Sequence, residues 1–110
     1  WPAAALSYGE KKRVEMARAF VGDPRLVLLD EPVAGLNADE TARIARHIRR
    51  KRGVGHTMLL VEHDMELVMD VADQVVVLDS GRCIASGSPE AVSSNPLVLD
   101  AYLGRMEATA

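Results

Sequence analysis

Two acids stand side by side at the end of an apolar run, Leu28-Leu29-Asp30-Glu31-Pro32. Phosphoryl transfer uses such a pair: one carboxylate to hold Mg²⁺, directly or through water, and one group to position the attacking water. Thirty-two positions after Glu31 comes His63, in Val61-Glu62-His63-Asp64, again directly after an apolar run. An imidazole at that point can donate a hydrogen bond to a phosphate oxygen. Nineteen positions before Leu28 lies Gly9, in Leu6-Ser7-Tyr8-Gly9-Glu10. Ser7 and Glu10 form a Ser-x-x-Glu capping box, so a helix opens there. The free N–H groups and positive dipole end of a helix mouth attract anions. Ser7 can offer its hydroxyl to a phosphate, and Gly9 lets the backbone approach closely. The Glu10 carboxylate would repel a triphosphate, so it is expected to turn back to the cap or outwards. Each pattern alone has a plainer explanation. Acids solvate strand ends, capping boxes start helices without ligands, and single histidines are more often structural.

These groups must be positioned by regular elements. Val14, Ala17, Arg18 and Val21 continue the first helix at helical spacing, and Gly22-Asp23-Pro24 stops it. Arg25 to Leu29 is short and apolar, which predicts a strand buried on both faces. Successive strand side chains point to opposite faces, so Asp30 and Glu31 should do different jobs. Asn37 with Glu40 repeats the capping logic, and Thr41, Ile44, Ala45 and Ile48 give the next helix one apolar stripe. Thr57 to Val61 is a second buried strand, Asp64 can cap a short helix over Met65 to Ala72, and Gln74 to Leu78 is a third strand. Ser80-Gly81 is a hairpin turn into Arg82 to Ala85. Ser88-Pro89 and Asn95-Pro96 mark two more helix starts, the last helix running from Pro96 to Leu103 and ending near Gly104. Strands alternating with helices imply βαβ units and a parallel sheet, whose ligands sit beyond the carboxyl ends of the strands. Asp30, Glu31, Glu62 and His63 all stand at such ends.

Composition narrows the classes. The chain has 110 residues, 48% hydrophobic and 26% charged, with 4% aromatic, so its core is built from aliphatic side chains and Met. A net charge of −3 provides no field for nucleic acid. The run Arg49-Arg50-Lys51-Arg52 is read as the solvated end of a helix, where cations suit the dipole. Cys83 is single, so no internal disulfide forms, and a strand-like setting makes a catalytic thiol a poor reading of it. His47 and His56 are read as surface residues without a role. No apolar stretch approaches the 18 residues of a membrane span.

In their order and spacing these patterns resemble the ATP-binding domain of ABC (ATP-binding cassette) proteins, over Leu6 to Gly104. The resemblance implies an α/β, partial P-loop NTPase (ABC ATPase) fold. Its parallel sheet has flanking helices and lacks the phosphate-loop strand, and a C-terminal hairpin and short helices follow. The 110 residues then form the C-terminal portion of one such domain. A signature helix covers 7–22, a core from Walker B to the switch histidine covers 25–79, and the hairpin with its helices covers 80–104. By the resemblance Asp30 holds Mg²⁺, Glu31 is the catalytic base and His63 senses the γ-phosphate. Leu6, Ser7, Tyr8, Gly9 and Glu10 are the signature, serving ATP held by a second ATPase subunit. Ala34, Gly35, Leu36 and Asn37 are the D-loop. Family members usually carry Leu-Ser-Gly-Gly-Gln at the signature and Asp at the fourth D-loop position, so Tyr8, Glu10 and Asn37 depart from the pattern. Asn37 puts in doubt any dimer contact that needs a carboxylate. Tyr8, Asn37 and the ending Ala101-Tyr102-Leu103-Gly104 are similar to the subunits that power branched-chain amino acid importers. That similarity implies permease subunits as partners, a substrate-binding protein indirectly, and a peripheral place on the cytoplasmic face of the membrane. No Gly-x-x-x-x-Gly-Lys-Ser/Thr is present. In the fold the resemblance implies, the phosphate-loop strand lies between the strand ending at His63 and the strand Gln74 to Leu78. The expectation is therefore a gap in the middle of the sheet with unpaired groups on both sides, and no turnover of ATP by these residues alone. Two other readings are an ABC ATPase outside transport and a truncated, non-catalytic module that pairs with an intact cassette.

Overall fold

A computed structural model describes residues 6–101. They divide into two compact units, one up to Asp64 and one from Met65 onwards.

The first unit runs α1 (Tyr8–Ala19), β1 (Leu26–Asp30), α2 (Ala38–Gly53) and β2 (Thr57–Val61). Both helices open on full capping boxes, Ser7 with Glu10 and Asn37 with Glu40. α1 closes on Phe20, and the chain reverses through Gly22 (φ 82°) and Asp23 (φ 53°), where glycine tolerates the left-handed backbone. α2 ends with Arg50, Lys51 and Arg52 in its last turn, cations against the negative dipole end as expected. β1 and β2 pair in parallel, Leu26 opposite Thr57 through Asp30 opposite Val61. This brings the chain after β1 and the chain after β2 to the same end of the sheet.

Two expectations fail here. The strands are covered on one face only: Val27 and Leu29 are buried, whereas Leu26, Leu28, Leu59 and Val61 are exposed among the described residues. Helices α1 and α2 form one covering layer, and a strand reads as buried on both faces only where two layers enclose it. The buried line of α1 is also rotated from the expected one. Gly9, Met16 and Phe20 face inward, while Val14, Ala17, Arg18 and Val21 are exposed. Phe20 sets this rotation. Its ring meets His56 edge-on at 5.0 Å between centroids and lies under the Lys51 ammonium. His56 is therefore a packing residue, its side chain 14% exposed and its Nε2 3.6 Å from Asp23, and not an idle surface group. On α2 the predicted stripe holds: Ile44, Ala45 and Ile48 are buried.

The second unit runs α3 (Met65–Val71), β3 (Val75–Asp79), β4 (Arg82–Gly87) and α4 (Pro89–Ser93). β3 and β4 form an antiparallel hairpin. Ser80 (φ 50°) and Gly81 (φ 78°) both take positive φ, as a two-residue hairpin turn of the primed type requires. A register shift after Val77 leaves Ile84 unpaired as a bulge. Ser88 caps α4 with Pro89 in the first turn. The chain is helical again over 96–101, and the Asn95 side chain accepts from the Leu97 N–H at 2.9 Å. Val75, Val92 and Val98 form the core, with Met65, Val68 and Ile84 against it. The expected end of the last helix, at Tyr102, Leu103 and Gly104, lies outside the described residues. Among the described residues β2 and β3 belong to separate two-stranded sheets, in agreement with the expected break in the sheet.

Candidate functional site

The register of β1 with β2 places Glu31 and His63 together. The His63 Nδ1 lies 3.0 Å from Glu31 Oε1. It also lies 3.6 Å from Glu62 Oε1, and the same oxygen accepts the His63 backbone N–H at 3.1 Å. Two carboxylates at Nδ1 hold a proton on that nitrogen. The other ring nitrogen, Nε2, then donates only when the ring is an imidazolium. Glu31 and His63 are 51% and 67% exposed, open enough for a ligand to reach both. Glu62 is different: its side chain is 1% exposed, and its Oε2 finds no hydrogen-bond partner among the described residues.

Glu31 is not a strand residue. β1 ends at Asp30, and Glu31 takes φ 46°. Strand alternation is thus not what separates the two acids; a left-handed residue after the strand turns the second one aside. Such a conformation is strained for a non-glycine residue and persists where its surroundings fix it. Here the Glu31 N–H donates to the Val61 carbonyl (2.8 Å), and its own carbonyl accepts from the Ala34 N–H (3.1 Å). Asp30 is exposed at the strand end, beside this pair in sequence and apart from its contacts. One exposed carboxylate suits Mg²⁺, which keeps waters and takes one or two carboxylates besides substrate oxygens. No set of three or more metal-binding side chains occurs among the described residues, so nothing resembles a closed protein cage.

The mouth of α1 is the second half of the site. The Ser7 N–H donates to Glu10 Oε1 (3.0 Å), and the Glu10 N–H donates to Ser7 Oγ (3.1 Å). Glu10 thus turns back to the cap, as its charge demanded. The bonds from the Ser7 backbone and side chain hold its carboxyl below the usual range, with Arg13 adding to the effect. Ser7 itself is exposed, and its hydroxyl hydrogen is left for another acceptor. Gly9 is buried at the second helical position, and a Cβ built there would strike the Glu40 carboxylate. A depression of about 330 Å³ opens at this mouth, lined by Ser7, Gly9, Glu10, Arg13, Glu40 and Arg43. Arg13 and Arg43 were missed in the sequence. The signal was present, since each capping-box Glu is followed three residues later by Arg, Glu10 by Arg13 and Glu40 by Arg43. At that spacing the Arg lies over the Glu on one helix face.

The segment 34–37 joins the two halves. The Tyr8 hydroxyl donates to the Ala34 carbonyl (3.1 Å), and a Cβ at Gly35 (φ 77°) would sit 3.1 Å from the Tyr8 ring. Leu36 donates to the Val33 carbonyl, and Asn37 caps α2 through the Glu40 N–H (2.9 Å). The structure therefore gathers Ser7 to Glu10, 34–37 and the Glu31–His63 pair within one unit.

Comparison with known proteins agrees with this architecture. Residues 2–34 match the family described as ABC transporter, and residues 82–108 match the branched-chain amino acid ATP-binding cassette transporter family. The chain is 46% identical over 103 residues to the high-affinity branched-chain amino acid transport ATP-binding protein BraF of Pseudomonas aeruginosa, covering 93% of this chain and 40% of BraF. It is 45% identical to LivG of Escherichia coli strain K12, a protein of the same description, with the same coverage. The ADP conformation of an ATP-binding cassette of an ABC transporter superposes with a TM-score of 0.81 at 33% identity, covering 93% of this chain and 42% of that one. A nucleotide-free cassette gives 0.78 at 32% identity, covering 91% and 41%. The chain spans about two fifths of the length of the relatives it matches. In its fold, its two family matches and these relatives, the chain is similar to part of the ATP-binding cassettes of ABC transporters.

Proposed function

We propose that these residues serve the ATP-hydrolysing subunit of an importer for branched-chain or related amino acids. The observation that carries the reading is the 3.0 Å contact between Glu31 and His63 at the carboxyl end of a parallel strand pair. Glu31 shares one carboxylate oxygen with His63 and keeps the other to take a proton from the attacking water. A positioned general base of this kind contributes about 10²–10⁴-fold in rate. His63, held through Nδ1, turns Nε2 outwards to a phosphate oxygen. Asp30 would hold Mg²⁺, which when bound offsets the charge of the phosphates. Ser7 and the α1 mouth receive the phosphates of a nucleotide held by a second ATPase subunit. Arg13 and Arg43 add positive charge there, and Glu10 is turned away from it. The similarity to BraF and LivG over 93% of the chain supports the substrate class. Permease subunits as partners and a peripheral place at the membrane follow from the same reading. The 110 residues hold no phosphate-loop sequence, so by themselves they leave ATP unhydrolysed.

The test uses the full-length protein carrying these residues, in its transporter complex. Glu31→Gln should lower ATP turnover by about 10²–10⁴-fold while leaving nucleotide binding in place. Wild-type turnover in that variant would end the reading.

A further inference from the structure

Glu31 holds a left-handed backbone, φ 46°, that its residue type does not favour. Something must keep it there. Two backbone bonds do so directly, one to Val61 and one from Ala34. Ala34 is itself held from the other side. Its N–H donates to the Glu31 carbonyl (3.1 Å), and its own carbonyl accepts the Tyr8 hydroxyl (3.1 Å). The Tyr8 ring is fixed in turn. It lies against Gly35, where a Cβ would come within 3.1 Å of it, and Lys12 Nζ stands 5.7 Å from its centroid. Tyr8 is the first residue of α1, directly after the capping Ser7. A continuous line of contacts therefore runs from the helix mouth through Tyr8, Ala34 and Glu31 to His63.

We propose that Tyr8 is a positioning residue that ties the α1 mouth to the Glu31–His63 pair through Ala34. A phosphate gripped at Ser7 then braces Glu31 in the same subunit. In the reading given above, on which this rests, those two places serve different nucleotides. Tyr8 is thereby a link between one subunit's two half-sites. A glycine at this position could pack beside Gly35 but could not reach Ala34, so the link belongs to the tyrosine.

Tyr8→Phe in the full-length protein keeps the ring against Gly35 and removes only the hydroxyl. The expected results are two. The ¹⁵N resonance of His63 Nδ1 shifts towards its value in Glu31→Gln. Turnover falls about 2- to 10-fold, the equivalent of one neutral hydrogen bond, with KM for ATP-Mg²⁺ unchanged. A tyrosine that merely stabilises α1 would leave the His63 resonance where it is, and that result overturns the proposal whatever happens to the rate. Where Glu31→Gln does lower turnover, a resonance that moves with kcat unaltered overturns it as well. If Glu31→Gln turns over ATP normally, the functional reading falls, and the His63 resonance still decides whether Tyr8 holds Glu31.

Discussion

The two helix mouths of the first unit use the same cap and do different work. Ser7 with Glu10 opens α1, and Asn37 with Glu40 opens α2, each with both reciprocal bonds formed. The difference lies in the residue two places after the cap. In α1 it is Gly9, whose backbone is free of a side chain; in α2 it is Asp39, a second acid in the first turn beside Glu40. The α2 mouth therefore carries negative charge where an anion would have to sit, and its cap serves the helix alone. The α1 mouth has one acid of its own, folded into the cap; Arg13 and Arg43 line the depression in front of it, together with Glu40, whose carboxylate is held in the α2 cap. A capping box is thus no sign of a ligand site; the charge and bulk of the next two residues decide whether an anion can approach.

Gly9 links the two mouths. A methyl group there strikes the Glu40 carboxylate, the end of a flexible side chain, which must swing off the Asn37 N–H to make room. Gly9→Ala therefore sets about 0.5–1 kcal/mol of helix propensity gained against about 0.5–2 kcal/mol of α2 cap lost. Gly53→Ala is the control, because a Cβ there meets nothing within 4 Å; it should stabilise by about 0.5–1 kcal/mol. Gly9→Ala should leave the protein less stable than Gly53→Ala does in urea unfolding; equal effects would mean that Gly9 is not the close-approach point described above. The caps themselves come next. Ser7→Ala and Asn37→Ala should each cost about 0.5–2 kcal/mol, equal in kind since the cap bonds are equal. ATP turnover separates them: Ser7→Ala lowers it beyond the loss of folded protein, and Asn37→Ala does not.

These contrasts also show what was legible in the chain. Both caps, the Thr57–Val61 strand, the Ser80-Gly81 turn and the α2 stripe follow from local rules, and the structure has them. The closeness of Glu31 and His63 follows from two strands ending at one edge. What local rules could not supply is context. Whether Leu26 and Leu28 are covered depends on a second layer that five residues of sequence cannot encode. The inward line of α1 depends on where Phe20 meets His56 and Lys51, which lie more than thirty positions away in sequence. The turned backbone of Glu31 had no local signal, because glycine, the residue that normally marks positive φ, is absent there.

The smallest predicted effect is a pH dependence. The Glu10 carboxyl is held below its usual range by its bonds to Ser7. A carboxyl lowered in the folded state contributes stability that is fully present above its unfolded value, near 4.5. That stability is lost as the pH falls through the lower, folded value. Glu10→Gln keeps the shape of the cap and removes this titration, so the two proteins should converge in stability below that range and differ above it. A constant difference across the range would mean that the cap does not favour the charged form.

In the proposed reading the α1 mouth serves a partner's nucleotide while Glu31 and His63 serve the subunit's own. Mixing full-length Ser7→Arg subunits with Glu31→Gln subunits tests it most directly. Each variant alone has no complete site. A mixed pair rebuilds one site, from the Glu31 of the first and the Ser7 of the second. Turnover in the mixture should rise above both parents and stay below wild type. Turnover no higher than the parents would place both halves on one nucleotide, and turnover equal to wild type would show that the halves do not depend on each other; either result contradicts the account.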